Sequence, residues 1–212
     1  MRQYQKALVN SLSLICILSL LTACAGGSSR QPGDEQSTTT RKEIPGVEKI
    51  KLSSIKTIPS GPTLTHKYDN IIIEKFTSSQ QYQNDYPNAV ADCKKHIIEQ
   101  ILSKNTFKKV TDGTNKTHPG KNAVVSLEII NMRIVSGAAR IFGGFFTGNS
   151  YMDIQLEIRD SDTKEVVHRK VLFASLSSSG ESNSIFLYDR DMPSDFGQLI
   201  GEYMVKIVPA NN

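Results

Sequence analysis

The chain has 212 residues, with 25 basic and 21 acidic side chains, a formal charge of +4, and 38% hydrophobic residues. That is enough chain for one domain with its own core. The basic excess is thin and scattered, with no Lys/Arg run interleaved with aromatics, so nucleic acid is not an expected partner.

The first residues have the layout of an export signal. Met1–Lys6 carries two positive charges, the first acid is Asp34, and Ala7–Leu21 is an apolar run of about 15 residues. A permanent span of a ~30 Å hydrocarbon core needs about 20 apolar residues, so this run matches the short middle of a secretory signal. It ends in Leu21-Thr22-Ala23-Cys24, which resembles the lipobox of bacterial lipoproteins. The resemblance implies a diacylglycerol thioether on Cys24, cleavage before it, and acylation of the new amine. Small residues at positions 22 and 23 suit a peptidase that holds the chain extended beside the cut. Residues 1–23 are therefore expected to be removed, which takes away Arg2 and Lys6 and leaves a formal charge of about +2. Ala25 stands where an Asp retains enteric lipoproteins in the inner membrane, so the expected location is the periplasmic face of the outer membrane. With Cys16 removed and Cys24 lipidated, Cys93 is the only thiol left, and no internal disulfide is available.

Residues 24–46 are predicted to form a disordered tether, because the stretch from Ala25 to Lys42 is Gly, Ser, Thr, Gln, Pro and charge. A flexible chain of about 18 residues reaches roughly 20–25 Å. A single α+β domain is expected over 47–212. Val47, Ile50, Leu52, Ile55 and Ile58 hint at an early strand, but their spacing is not an alternation. Ile71, Ile72, Ile73 and Phe76 predict a buried strand over 68–76. Pro87-Asn88 opens a helix to Lys104, with Val90, Cys93, Ile97 and Ile101 on one stripe widened by Ala89, Ile98 and Leu102. Phe107–Val110 is a short strand, and 111–122 a loop. Ala123–Val135 is a strand whose apolar set shifts near Ile129, which predicts a bulge. Tyr151–Arg159 and Glu165–Ser175 form a hairpin around the polar turn Asp160–Lys164, with one wet face. Ser194–Val208 closes the chain as a helix, capped by Ser194 and Asp195. The predicted fold is a two-layer α+β sandwich, with an antiparallel or mixed sheet of about five strands and two helices in the order β-α-β-β-β-β-α.

The stretch Ser136-Gly137-Ala138-Ala139-Arg140-Ile141-Phe142-Gly143-Gly144-Phe145-Phe146-Thr147-Gly148-Asn149-Ser150, the alternating strand after it and the turn Asp160–Val167 resemble a family of bacterial lipoproteins carrying a domain of unknown function. The similarity covers residues 68–208 loosely and 136–167 best. Lys164 stands where that family's turn usually has glycine. The resemblance carries over no catalytic residues. The layout is also similar to periplasmic domains of secretion-channel and cell-wall-synthase-activator lipoproteins.

No catalytic constellation emerges. His66, His96, His118 and His168 lack metal-ligand spacing. Cys93 and His96 are one helical turn apart, yet Cys93 falls on the apolar stripe, which predicts a buried, inert thiol. Ser177–Ser182 has no nucleophile elbow, Asp189, Asp191 and Asp195 gather near the last helix, and Gly143-Gly144 lacks the Lys-Ser/Thr of a phosphate loop. The unusual feature is Ile141, Phe142, Phe145 and Phe146 in a glycine-broken connection. Either the connection folds back as a plug, or it is an exposed tip for a partner or the membrane. Most phenylalanines end buried, which favours the plug. Gly143 or Gly144 is expected at positive φ. The function expected is a non-enzymatic binding or assembly module of the cell envelope. It would be held to the membrane at Cys24, with an envelope protein as partner and no cofactor or metal. The alternative is a ring-forming subunit of an envelope export machine.

Overall fold

Alternating side chains along the long strands give the sheet one apolar face, and two amphipathic helices cover it. The computed structural model describes residues 41–61, 63–113, 118–143, 148–176 and 188–211. In chain order these hold β1 (Lys49–Lys51), β2 (Asn70–Ser78), α1 (Gln80–Asp85), α2 (Ala89–Ser103), β3 (Lys109–Asp112), β4 (Asn122–Arg133), α3 (Gly137–Gly143), β5 (Ser150–Asp160), β6 (Val166–Leu176) and α4 (Met192–Ile207). Among the described residues the sheet has six strands, ordered β1-β6-β5-β4-β2-β3. The α+β class and two-layer arrangement agree with the sequence.

The sheet is mixed. β5 and β6 form the expected antiparallel hairpin, and β4 pairs antiparallel with β5. β2 runs parallel to both β3 and β4, and the connection through α1 and α2 is long enough to return the chain to the starting end of the sheet, as a parallel pair requires. The bulge lies where the apolar pattern shifts, with the β4–β5 register skipping between Ile129 and Asn131. The early hint becomes β1, three residues paired parallel with Val171–Phe173 of β6. α1 and α3 are additional short helices, and β3 lies two residues later than expected.

The core joins Ile71 and Ile73 of β2, Val125 and Leu127 of β4, and Ile154 and Leu156 of β5 to the helices. From α2 come Ala89, Cys93, Ile97 and Ile101, spaced four apart; Leu102, expected on that stripe, is exposed. α4 approaches α2 through Gly197 and Gly201, where an added Cβ would lie 2.4 Å from the Cys93 carbonyl oxygen and 2.9 Å from that of Ile97. The expected cap of α4 is not made. The helix begins two residues early at Met192, Asp191 occupies the N-cap without a side-chain hydrogen bond, and Pro193 sits in the first turn. Pro fits there because its missing N–H is unpaired in any helix start.

The Cys93 thiol is fully buried, and burial pushes its pKa up. Cys93→Ala is expected to cost about 1 kcal/mol, the transfer loss of one small apolar group. A bulky maleimide should not label the native domain. Rapid alkylation would show that the helix layer opens.

Lys164 closes the β5–β6 turn at φ 63, its N–H donating to the Asp160 carbonyl at 3.0 Å. Glycine would carry this turn without the strain that a Cβ meets in the left-handed region. Lys164→Gly should therefore stabilise the domain by about 0.5–1 kcal/mol, less whatever entropy glycine adds to the unfolded chain. A thermal melt below wild type would count against this strain.

Candidate functional site

The end of the sheet where β4 finishes and β5 begins carries the features that packing alone does not explain. Ser136 opens α3, its Oγ accepting from the Ala139 N–H at 3.1 Å. One turn on, Arg140 grips Asp189 with two parallel hydrogen bonds, Nε to Oδ2 at 2.6 Å and Nη2 to Oδ1 at 2.7 Å. The Arg140 Nη1 also donates to the Gly148 carbonyl at 3.2 Å. Ser150 joins the pair, donating through Oγ to Asp189 Oδ1 while accepting from the Val135 N–H at 2.9 Å. The Arg140 hydrogen bonds hold the Asp189 carboxyl below the usual range despite its burial, and Ser150 adds to the effect. A planar fork on a carboxylate fixes direction as well as distance. Here it fixes α3 against the segment leading into α4.

The consequence is what α3 presents. With Arg140 turned inward, Ile141 is 80% exposed and Phe142 90% exposed. Tyr188, next to the pinned Asp189, is also exposed. Ile141 and Phe142 thus form no plug; Phe145 and Phe146 lie outside the described residues. Gly143, the last residue of α3, does not have the positive φ expected of it; Gly144 lies outside the described residues, and Gly148 takes φ 72°. A Cβ on Gly148 would come within 3.0 Å of the Arg133 guanidinium.

The outer face of the same strand end holds a second cluster. Asn131 and Asp153, side by side on β4 and β5, are buried, and Asn131 Nδ2 donates to Asp153 Oδ2 at 2.9 Å. Asn131 also grips the main chain of Lys42, accepting from its N–H at 2.7 Å and donating to its carbonyl at 2.8 Å. The Arg41 guanidinium lies 3.9 Å from the Tyr151 ring centroid and 3.3 Å from Asp153 Oδ1. Burial raises the Asp153 pKa, and Arg41 and Asn131 oppose it. Buried polar groups need partners. The Lys42 main chain supplies them to Asn131, and Arg41 opposes the Asp153 charge as an ion pair, although Asp153 Oδ1 accepts no hydrogen bond. Within the stretch expected to be tether through residue 46, Arg41 and Lys42 are therefore held against the sheet.

Residues 47–182 match the family described as domain of unknown function (DUF4410). The chain belongs to that family. The DUF4410 match takes in β1, which the resemblance drawn from residue 68 omits, and stops before α4. No curated protein matches the chain. Among solved structures, a PelC dodecamer from Paraburkholderia phytofirmans is 13% identical, covering 73% of this chain and 95% of that one at a TM-score of 0.45. A DUF330 protein from Xanthomonas campestris is 7% identical, with 74% and 95% covered and a TM-score of 0.44. A hypothetical protein from Chlamydia trachomatis is 14% identical, with 67% and 96% covered and a TM-score of 0.40.

The other candidates in this DUF4410 chain are dispersed. His96 Nδ1 lies 2.8 Å from the Asp92 carbonyl, His118 Nε2 lies 3.1 Å from Thr111 Oγ1, and His168 Nε2 lies 3.2 Å from Tyr203 Oη. Among the described residues no group of three or more His, Cys, Asp or Glu is placed to hold a metal. Ser177–Ser182 lies outside the described residues. Of the three aspartates near α4, Asp189 pairs with Arg140, Asp191 is the N-cap, and Asp195 is pushed up to about 6 by burial and by Asp191. The Arg140–Asp189 pair was not visible in the sequence. Its members are 49 positions apart, and only the isolated Arg in an apolar stretch hints at it.

Proposed function

We propose that this chain is a lipoprotein whose domain works as a non-enzymatic binding or assembly module on the periplasmic face of the outer membrane, held by lipid at Cys24. The anchor is supported by Met1–Cys24, with its charged head, short apolar run and Leu21-Thr22-Ala23-Cys24 end. The module is supported chiefly by one observation, the exposed Ile141–Phe142 pair on a helix locked by Arg140 and Asp189. A protein with no use for such a tip would leave it polar, since exposed apolar clusters mark contact sites.

Cys24→Ser tests the anchor. The variant should remain an uncleaved precursor that takes up no fatty-acid label and runs larger than the mature protein. Labelled or normally processed Ser variant would end the lipoprotein reading. Light scattering on the soluble mature domain tests the module, for which a monomer is expected. A discrete ring would replace it with a ring-forming subunit of an export machine.

A further inference from the structure

We infer that the pole formed by Ile141, Phe142 and Tyr188 rests on the membrane surface itself, so that the domain docks with its α3 end down. The inference rests on the lipid-anchor reading above and names the contact of the same apolar tip.

Three placements carry it. Five large apolar side chains among the described residues are exposed: Leu102, Ile141, Phe142, Val166 and Tyr188. Three of these share the α3 end. Leu102 and Val166 lie at the other end of the sheet, Leu102 just before the turn in which the Lys108 N–H donates to the Asp69 carbonyl, and Val166 at the β5–β6 turn. The apolar surface is thus polarised along the strands.

The chain also enters the fold at that pole. Arg41 is held over Tyr151 and against Asp153, and Lys42 is clasped by Asn131. Tyr151 directly follows Ser150, which is hydrogen-bonded to the Asp189 of the α3 pin. The tether's exit and the apolar tip therefore flank one strand end, with the anchor site about 17 residues upstream. A chain of that length spans at most about 60 Å. Tethering at this distance makes the second contact intramolecular, so a patch too small to bind membranes alone is held there.

The chemistry of the patch suits a lipid interface. Ile141 and Phe142 are purely apolar, whereas Tyr188 has a ring with a polar tip, and Arg190, its side chain 83% exposed, lies 5.6 Å from the Tyr188 ring centroid. Aromatic side chains with polar tips and long basic side chains settle at the headgroup level, with their apolar bodies below. α3 has seven residues, so it would insert side chains rather than lie in the surface as an amphipathic helix.

The test uses the full lipidated chain in phosphatidylethanolamine/phosphatidylglycerol vesicles. Phe142→Cys carries an environment-sensitive fluorophore, and Leu102→Cys is the control at the opposite pole; buried Cys93 does not compete for label. Brominated lipids should quench the Phe142→Cys reporter severalfold more than the control, with a blue shift of its emission. Flotation with the vesicles but equal, water-like emission at both positions would overturn the inference and leave the anchor intact. Failure to float would remove the anchor reading and the inference with it. A Phe142→Cys reporter shielded in a discrete oligomer without lipid would assign the patch to a second copy and overturn the inference.

Discussion

Gly197→Ala is expected to destabilise the domain by about 2 kcal/mol, and Gly197→Val to prevent stable folding. The new Cβ would stand 2.4 Å from the Cys93 carbonyl oxygen and 3.1 Å from His96 Cβ. The nearest obstacle is main chain of α2, so α2 and α4 must move apart. Overpacking of this kind costs about 3 kcal/mol, and the gain in helix propensity from replacing glycine returns about 1 kcal/mol. The net loss should lower the melting temperature by about 4–8 °C for a domain of this size. Gly201→Ala should behave similarly, its Cβ meeting the Ile97 carbonyl oxygen at 2.9 Å and Gln100 Cβ at 2.7 Å. Wild-type stability for both variants would mean that the helices do not touch here.

Acid should unfold the protein partly through His168. This ring, 6% exposed, is shut between β6 and α4 against the Tyr203 hydroxyl. Burial, helped by Lys170 and opposed by Glu48, lowers its pKa from 6.5 to about 4. The unfolded chain binds the proton more readily than the native one, so this contribution is fully present above pH ~6.5. It is lost as pH falls from there towards 4. The full span corresponds to about 3 kcal/mol. His168→Gln, which keeps a partner for Tyr203 but cannot titrate, should flatten the fall in urea midpoint between pH 7 and pH 4. An unchanged slope would place the acid sensitivity in the carboxylates alone.

The strands and helices with strong local periodicity were legible before the structure. The wet-faced hairpin is there because Met152, Ile154, Leu156 and Ile158 alternate with polar neighbours, and the bulge because that alternation slips once in β4. What stayed hidden depends on residues distant in sequence. The parallel pairing of β2 with β4 follows from where two crossovers lead, which no side-chain period records. Arg140 and Asp189, or Asn131 and Lys42, meet only because the sheet brings them together, 49 and 89 positions apart. Two signals were present and unused. Gly197 and Gly201, four apart on an apolar face, mark a close helix approach. Ser136 before Gly-Ala-Ala-Arg is a plausible helix start, which glycine at both ends of α3 obscured.

β1 bears on how the protein is built. Lys49–Lys51 pairs with Val171–Phe173, about 122 positions later, while β4, β5 and β6 join through near neighbours. Closing so long a loop is entropically costly, and few contacts reward it until the partner strand is in place. In a chain threaded amino end first across a membrane, the first strand to emerge would be the last to lock, waiting until most of the domain had followed. For that interval the edge of β6 would stay open, and the short strand that follows Arg41 and Lys42 would be the final piece of the sheet to close.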